Sequence, residues 1–196
     1  TDRGGLTYDE TFTINLTNVN EAPTGTNATV TITEDTSHVL TAANFGFSDV
    51  DAGDALSAVR IDTLPTAGTL TLSGTAVTAG QVITTADLAA SQLVFTPAAN
   101  ANGTGYARVA FSVRDSTSLY DPTPNTLTVN VTAVNDRPTD LSLSANMVAE
   151  HAANGTVVGT VSGTDPDAGD TKSYSLTNTA GGRFAINRTT GALTVA

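Results

Sequence analysis

The chain has 196 residues, no cysteine, eight basic and 19 acidic side chains, and a formal net charge of −11. This charge argues against a nucleic-acid partner, because binding a phosphate backbone needs a cluster of Lys and Arg side chains. The lack of cysteine excludes disulfides and thiolate metal sites, and no apolar run approaches the roughly 18 residues that a membrane span needs. The prominence of Thr, Val, Gly, Asn and Asp is typical of an acidic, extracellular, all-β protein.

Two short motifs recur in the same order along the chain. VNEAPT at 19–24 precedes DVDAGD at 49–54, and VNDRPT at 134–139 precedes DPDAGD at 165–170. A proline-marked linker followed by an Asp-rich loop therefore occurs twice. This repetition predicts a tandem array of β modules in which the pieces at the two ends are incomplete.

Residues 1–21 hold too little apolar surface for a domain of their own. Phe12, Ile14 and Leu16 alternate with polar residues over 11–17, which is the period of a half-buried strand. We therefore expect this segment to be the C-terminal hairpin of a preceding module.

Residues 22–138 have the length and the turn spacing of one complete β-sandwich. Apolar alternation between turn signals predicts seven or so strands, which favours a Greek-key sandwich over a parallel sheet with helices. A short helical turn with Thr85 as its N-cap is expected within 81–90. The predicted strands lie at 30–32, 39–40, 56–61, 69–72, 93–95, 107–113 and 127–131.

Residues 139–196 are predicted to be the N-terminal part of a following module. About five strands are expected there, at 141–143, 157–161, 174–176, 184–186 and 193–195. The hairpin that would complete this module corresponds in type to the segment at 1–21.

Strand direction predicts where the acidic residues meet. If the first strand of a module runs away from its linker, the second strand returns, so the loop after the second strand lies beside that linker. The turn after the first strand then lies at the far end, beside the next linker. The first expected cluster contains Asn18, Asn20, Glu21, Asp49, Asp51, Asp54 and Asp115, and the second contains Glu34, Asn135, Asp136, Asp165, Asp167 and Asp170.

These clusters predict calcium sites. Calcium takes six to eight oxygen ligands from carboxylates, Asn side chains and loop carbonyls, whereas zinc prefers His or Cys and Mg²⁺ wants fewer protein ligands. The alternative is that Asp and Gly are simply common in turns. An EF-hand is excluded, because the loop that starts at Asp49 has Asp54 and Arg60 where that motif requires Gly and Glu.

The two ends of the chain resemble the two halves of a cadherin repeat. The C-terminal piece carries AEHAANGTVVGTVSGTDPDAGD and then YSLTNTAGGRFAINRTTGALTV, and the opening reads TDRGGLTYDETFTINLTNVNEAPT. The middle, from LPTAGTLTLSG to PAANANG, is similar to the cadherin-like and chondroitin-sulfate-proteoglycan-type repeats of large bacterial surface proteins and adhesins. The expected fold is therefore a series of cadherin-like, immunoglobulin-like sandwiches.

The resemblance also implies roles for single residues. It matches Glu150 to an N-terminal calcium-ligating glutamate, Asp2 to a late aspartate, Asp165 and Asp167 to the DxD pair, and Asn135 and Asp136 to linker ligands. PAANANG at 97–103 replaces a second acidic motif of the family, so Asn100 or Asn102 would substitute there. Fewer or weaker ions are therefore implied at that linker.

No catalytic motif is present in the sequence. His38 and His151 each lie near a glutamate, where a solvated position is expected, and GxSxG, HExxH and phosphate-loop patterns are absent. Together with this absence, the resemblance implies a non-enzymatic, calcium-stiffened spacer or adhesion arm on a bacterial cell surface, whose partners are neighbouring repeats. The alternative is a module that binds glycans or other copies of itself, assembling head to tail into a filament by strand donation.

Overall fold

The computed structural model describes residues 3–5 and 7–196, and within them the chain is almost entirely β-structure. Thirteen strands form three sheets, with a 3-10 turn at Ala42–Asn44 and one short helix, α1, at Thr85–Ala89. The strands are β1 Ala28–Thr33, β2 His38–Val39, β3 Ala58–Ile61, β4 Thr69–Leu72, β5 Thr75–Ala76, β6 Val82–Thr84, β7 Leu93–Thr96, β8 Gly103–Arg114, β9 Asn125–Thr132, β10 Thr139–Leu143, β11 Val157–Thr164, β12 Phe184–Ile186 and β13 Ala192–Val195.

Strands β1 to β9 form a two-layer sandwich. One layer has the order β1-β9-β8-β3-β6 and the other has the order β2-β7-β4-β5. The described pairs in this sandwich are antiparallel except β1 with β9, which run parallel from Ala28 opposite Leu127 to Thr33 opposite Thr132. The all-β sandwich prediction is confirmed.

The core lies between these two layers. Alternate residues of β8, from Ala107 to Val113, are buried, as the two-residue period of a strand requires. Phe111 meets Phe45 edge to face, with ring centroids 5.0 Å apart and an interplanar angle of 78°. Phe95 and Leu93 from the opposite layer belong to the same cluster, so both sheets bury their apolar faces in one core.

The helix α1 begins one residue earlier than the sequence indicated. Thr84, not Thr85, is the N-cap, because its hydroxyl accepts a hydrogen bond from the amide of Asp87 at 3.1 Å. The carboxylate of Asp87 in turn accepts from the amide of Thr84 at 2.9 Å, which completes a reciprocal capping box. An Asp three residues after Thr84 is the signal that favours Thr84.

Residues 139–196 form a single four-stranded layer with the order β10-β11-β13-β12. In this layer Leu141 is 73% exposed, and Val158 is the only buried apolar residue among these residues. The strand predicted at 174–176 is wrong, since Tyr174 donates one backbone bond to Arg188 at 2.9 Å without forming a ladder. A single bond cannot hold a segment in a sheet.

Residues 7–22 contain no strand, so the strand predicted at 11–17 is also wrong for the described chain. Phe12, Ile14 and Leu16 are 78%, 84% and 95% exposed. Their alternation suits a sheet face, but no described strand lies alongside to pair with them. Across the described residues, no helix is long and apolar enough to cross a membrane.

Candidate metal centre

The first linker, residues 18–24, is docked on the sandwich that follows it. Thr24 and Ser48 exchange two backbone hydrogen bonds of 2.8 and 2.9 Å. The backbone amide of Glu21 donates to Asp51 Oδ2 at 2.8 Å, and the side-chain amide of Asn18 donates to Asp51 Oδ1 at 2.5 Å. The Asp-rich loop therefore lies beside the linker, as strand direction predicted.

Asp115 brings the end of β8 to the same place. It is fully buried and accepts hydrogen bonds from Asn20 Nδ2 at 3.2 Å, the Leu119 amide at 2.8 Å and the Thr117 hydroxyl at 3.0 Å. Burial opposes ionisation of this carboxyl, but the three donors outweigh it, so the pKa of Asp115 lies below its usual value. Carboxylate oxygens of Asp49, Asp54 and Asp115 lie within 4.8 Å of one another.

The second linker, residues 133–139, repeats this docking on the next module. The amide of Asp136 donates to Asp167 Oδ2 at 2.6 Å, as Glu21 does to Asp51. Within the loops, the amide of Asp167 donates to Asp165 Oδ1 at 3.0 Å, as that of Asp51 does to Asp49 at 2.9 Å. The repeated motifs therefore fold into the same local geometry.

Glu34 reaches the second linker from the preceding sandwich. It follows β1 at the opposite end from the first linker and is only 1% exposed. Its Oε1 accepts from the Val134 amide at 2.7 Å, and its Oε2 accepts from Asn102 Nδ2 at 3.0 Å. Carboxylate oxygens of Glu34, Asp136 and Asp167 lie within 4.8 Å of one another, so three segments of the chain converge.

A further group of carboxylates adjoins this one. Oxygens of Asp165, Asp167 and Asp170 also lie within 4.8 Å of one another, and Asp167 belongs to both groups. An open cavity of about 560 Å³ lies here, lined by Asn100, Ala101, Asn102, Ala133, Asn135, Pro166, Asp167, Ala168 and Asp170. Two oxygens on opposite sides of a calcium ion lie about 5 Å apart, because each Ca–O distance is about 2.3–2.6 Å. The spacing of both groups fits such an ion.

The second linker carries uncompensated negative charge. Burial and, next, the neighbouring carboxylates of Asp35, Asp167, Glu34 and Asp165 raise the pKa of Asp136. Its Oδ2 is buried without a hydrogen-bond partner, and so is Oδ2 of Asp49 in the first cluster. Buried polar atoms of this kind need a partner, and a cation would supply it.

Not every predicted residue joins these groups. Glu150 is 89% exposed, lies 3.4 Å from His151 and belongs to none of the groups of close carboxylates, and Asp2 lies outside the described residues. Asn135 donates to the carbonyl of Asp136 at 3.1 Å, as Asn20 does to that of Glu21 at 2.9 Å. Asn18, Asn20 and Glu21 lie at the first linker through the contacts given above.

Sequence reasoning missed two acidic residues near the linkers. Asp35 accepts from the Asn100 amide at 2.9 Å and adds charge beside Asp136. Asp121, only 5% exposed, accepts from the Gly25 amide at 2.6 Å and anchors the start of the sandwich. The adjacency of Glu34 and Asp35 was a usable signal, whereas Asp121 precedes a proline in a loop and reads as an ordinary turn residue.

The same fold occurs in solved extracellular cadherin structures. The protocadherin gamma B7 extracellular cadherin domains 1–4 match with a TM-score of 0.53 and 16% identity, covering 89% of this chain and 41% of that one. The protocadherin gamma B4 extracellular domain matches with a TM-score of 0.50 and 19% identity, covering 89% of this chain and 29% of that one. The chain therefore spans less than half the length of either protein.

Comparison with curated proteins found no match. The model of the SibA-like, immunoglobulin-like domain family matches residues 10–131. This range contains the first linker and nearly the whole sandwich, from the segment before β1 to the penultimate residue of β9. The chain therefore belongs to the SibA-like, immunoglobulin-like domain family.

Proposed function

We propose that this chain is a calcium-stiffened, extracellular segment of a large bacterial surface adhesin, in which it serves as a spacer or adhesion arm. One observation carries the proposal. Glu34 of the sandwich, Asp136 of the linker and Asp167 of the next module present oxygens within 4.8 Å of one another. A Ca²⁺ ion bound there would tie three consecutive segments together and set the angle between the modules.

The chemistry of the donor set fits calcium. The proposed ligands are carboxylate and amide oxygens, and calcium prefers oxygen ligands in flexible geometry. Within residues 3–5 and 7–196, the structure shows ion pairs between Arg60 and Asp62 and between Glu150 and His151, and neither neutralises a linker cluster. The remaining predicted ligands, Glu150 and Asp2, would serve linkers to other modules.

Calcium would control orientation more than folding. Extracellular calcium modules bind with Kd of about 10⁻⁴–10⁻³ M, so one site adds only about 1 kcal/mol at millimolar calcium. The apolar core of the sandwich contributes far more than that. Removal of calcium should therefore loosen the angle between modules without unfolding them.

The test is a calcium titration followed by small-angle X-ray scattering and thermal unfolding of the intact chain. We expect calcium to narrow the distribution of dimensions for wild type, and Asp165→Ala/Asp167→Ala to abolish that effect. Asp9→Ala/Glu10→Ala, which removes two exposed charges outside both clusters, is the control and should behave as wild type. Identical scattering with calcium and with EDTA for the wild-type chain would overturn the proposal.

A second candidate function is self-assembly by strand donation. It is favoured by the exposed, alternating Phe12, Ile14 and Leu16 and by the open apolar face of β10 to β13, where Leu141 and Leu143 are 73% and 39% exposed. Segment 11–17 of one copy would add to that layer in another copy. Sedimentation velocity should then show concentration-dependent oligomers that Leu16→Glu abolishes. A monomer at every concentration would rule it out.

We expect partners other than nucleic acid in both cases: neighbouring repeats for the spacer, and homotypic or glycan contacts for the assembling module. Catalysis is not expected, because the carboxylates of the clusters are committed to linkers rather than to a substrate pocket. A glycan array probed with and without calcium tests the glycan contact directly.

A further inference from the structure

The two linkers dock in the same way, but their sequences differ at three positions: Asn18, Glu21 and Ala22 of the first linker correspond to Ala133, Asp136 and Arg137 of the second. Asn18 of the first linker and Ala133 of the second occupy equivalent places, each immediately before the repeated Val-Asn pair. Around them the backbone contacts match: Glu21 and Asp136 donate to Asp51 and Asp167, at 2.8 and 2.6 Å. The 18/133 difference therefore occurs between linkers whose backbone contacts are alike, while the side chains at 21/136 and 22/137 also differ.

Asn18 donates a hydrogen bond to the carboxylate of Asp51. Its Nδ2 donates to Asp51 Oδ1 at 2.5 Å while the Glu21 amide donates to Oδ2, so both oxygens of Asp51 have a donor. The hydrogen bond from Asn18 is the largest cause of the lowered pKa of Asp51. Among the described groups of close carboxylates, the first-linker group consists of Asp49, Asp54 and Asp115, without Asp51.

The side chain of Ala133 has no hydrogen-bond donor to offer Asp167, which is the equivalent of Asp51. Asp167 accepts from the Asp136 amide through Oδ2. Asp167 also belongs to two groups whose carboxylate oxygens lie within 4.8 Å of one another. One group adds Glu34 and Asp136, and the other adds Asp165 and Asp170. An acceptor that is not filled by an amide is available to a cation.

We propose that the residue at position 18 or 133 selects how its linker is held: Asn18 ties Asp51 by a hydrogen bond, whereas Ala133 leaves Asp167 free to bridge two cation sites. The inference rests on the proposed function, since it assumes that the second linker binds calcium. It makes the second linker the cation-controlled hinge of this chain. The first linker stays docked on its sandwich without an ion on Asp51.

The test introduces the amide where it is missing. Ala133→Asn should supply a side-chain amide that donates to Asp167 as Asn18 does to Asp51, and that thereby competes with the ion. Ala133→Leu is the matched control, because Leu is close to Asn in size but has no hydrogen-bond donor. Position 133 is exposed, so both variants should fold, which urea unfolding verifies.

The readouts are calcium binding by isothermal titration calorimetry and the distance between spin labels at Thr75 and Thr189, one in each module. For Ala133→Asn we expect the calcium affinity at the second linker to fall about 10- to 100-fold, the size of effect seen when groups that support metal ligands are changed. Its distance distribution should stay broad at a calcium concentration at which that of wild type is already narrow. Ala133→Leu should follow wild type in both measurements.

Two outcomes would contradict the proposal in distinguishable ways. If wild type binds no calcium, the proposed function fails and the selection by position 133 fails with it. If wild type binds calcium and Ala133→Asn matches Ala133→Leu in affinity and distance distribution, the proposed function stands and the role of position 133 is wrong. The reciprocal variant Asn18→Ala should add calcium binding at the first linker, and an unchanged stoichiometry would also count against the inference.

Discussion

Asp121 shows how one buried carboxylate can hold two parts of the sandwich together. It is 5% exposed and accepts hydrogen bonds from the amides of Gly25 at 2.6 Å and Thr123 at 2.8 Å and from Asn125 Nδ2 at 2.8 Å. The donors come from the start of the sandwich, from the loop before β9 and from the first residue of β9. This single carboxylate therefore links segments of the chain that are far apart in sequence, and it does so by hydrogen bonds alone.

Replacing Asp121 by Ala should destabilise the chain by about 2–3 kcal/mol. Three donors lose a charged acceptor, and those that stay partly buried cannot regain full hydrogen bonding with water. Urea unfolding monitored by circular dichroism measures this change. Asp9→Ala removes the same charge from an exposed position and should lie within about 0.5 kcal/mol of wild type. Equal midpoints for the two variants would show that the Asp121 contacts contribute nothing.

The positions of individual acidic residues were more predictable than their hydrogen-bond partners. Strand direction and motif repetition are enough to place Asp115 beside Asn20 and Glu34 beside Asp136, as the structure has them. The hydrogen bond between Asn18 and Asp51 was not predictable, because it depends on a side-chain rotation within a shared cluster. Asp121 was missed for a related reason: its acceptor role appears only when Gly25 and Asn125 are brought together.

Gly68 meets two requirements of its turn, a positive φ and space too small for a side chain. Its φ of +71° is one that side-chain-bearing residues rarely adopt, and an added Cβ would lie 2.7 Å from the carbonyl oxygen of Thr96 and 2.7 Å from Phe95 Cζ. Gly80 has a similar φ of +82° but nothing within 4 Å of an added Cβ. The turn before β4 thus needs glycine for space as well as for conformation.

Gly80→Ala should cost about 1–2 kcal/mol for the left-handed conformation alone. Gly68→Ala should cost about 1–3 kcal/mol more, because the methyl group overpacks the turn against β7. Urea unfolding of the two variants gives the difference directly. If both lose the same free energy, the contact between the turn and β7 relaxes and the steric argument fails.

The capping box of α1 makes a pH prediction. The hydrogen bonds donated by the Thr84 hydroxyl and amide lower the pKa of Asp87 below its usual value. An acid with a lowered pKa in the folded state stabilises that state when ionised, so the contribution is present at neutral pH and is lost as pH falls through the lowered pKa. Asp87→Asn lacks this contribution at every pH.

Unfolding midpoints of wild type and Asp87→Asn, measured in calcium-free buffer from about pH 7 to about pH 2.5, should therefore converge as the solution becomes acidic. Without calcium the linker carboxylates stay metal-free in both proteins, so their contributions cancel in the comparison. A gap that stays constant across this range would mean that the charge of Asp87 has no role in the cap.

Strands were predicted correctly where the described chain supplies a partner strand for them to pair with. The alternation in β8 and β9 predicted both strands, since each is buried on one side and paired along its length. The same alternation at 11–17 predicted a strand that the described chain does not pair, because periodicity reports which face could be buried and not whether a partner strand is present. Residues 174–176 fail for the same reason.

At the scale of the whole molecule, the order of strands in each layer lies beyond what periodicity predicts. Turn spacing and alternation indicate an all-β sandwich. They do not indicate that β1 and β9, the first and last strands of the sandwich, pair in parallel. The paired residues are about 100 positions apart in sequence, as in the hydrogen bond from the Thr132 hydroxyl to the Ile32 carbonyl. Such a pairing depends on how both layers close around the core. No local pattern specifies it.

Pulling on the two ends of the sandwich draws β1 and β9 in opposite directions along their common ladder. Because these strands are parallel and paired over six positions, tension loads their hydrogen bonds in shear, so that they must rupture together. A force applied through cysteines introduced at Thr104 and Thr132, near adjoining ends of the antiparallel pair β8 and β9, would instead peel bonds apart one by one. The cysteine-free chain allows both attachments, and single-molecule force spectroscopy should record the higher rupture force for end-to-end pulling. The strand pair that closes the sandwich would thus make it a mechanical clamp, suited to a tether that bears load.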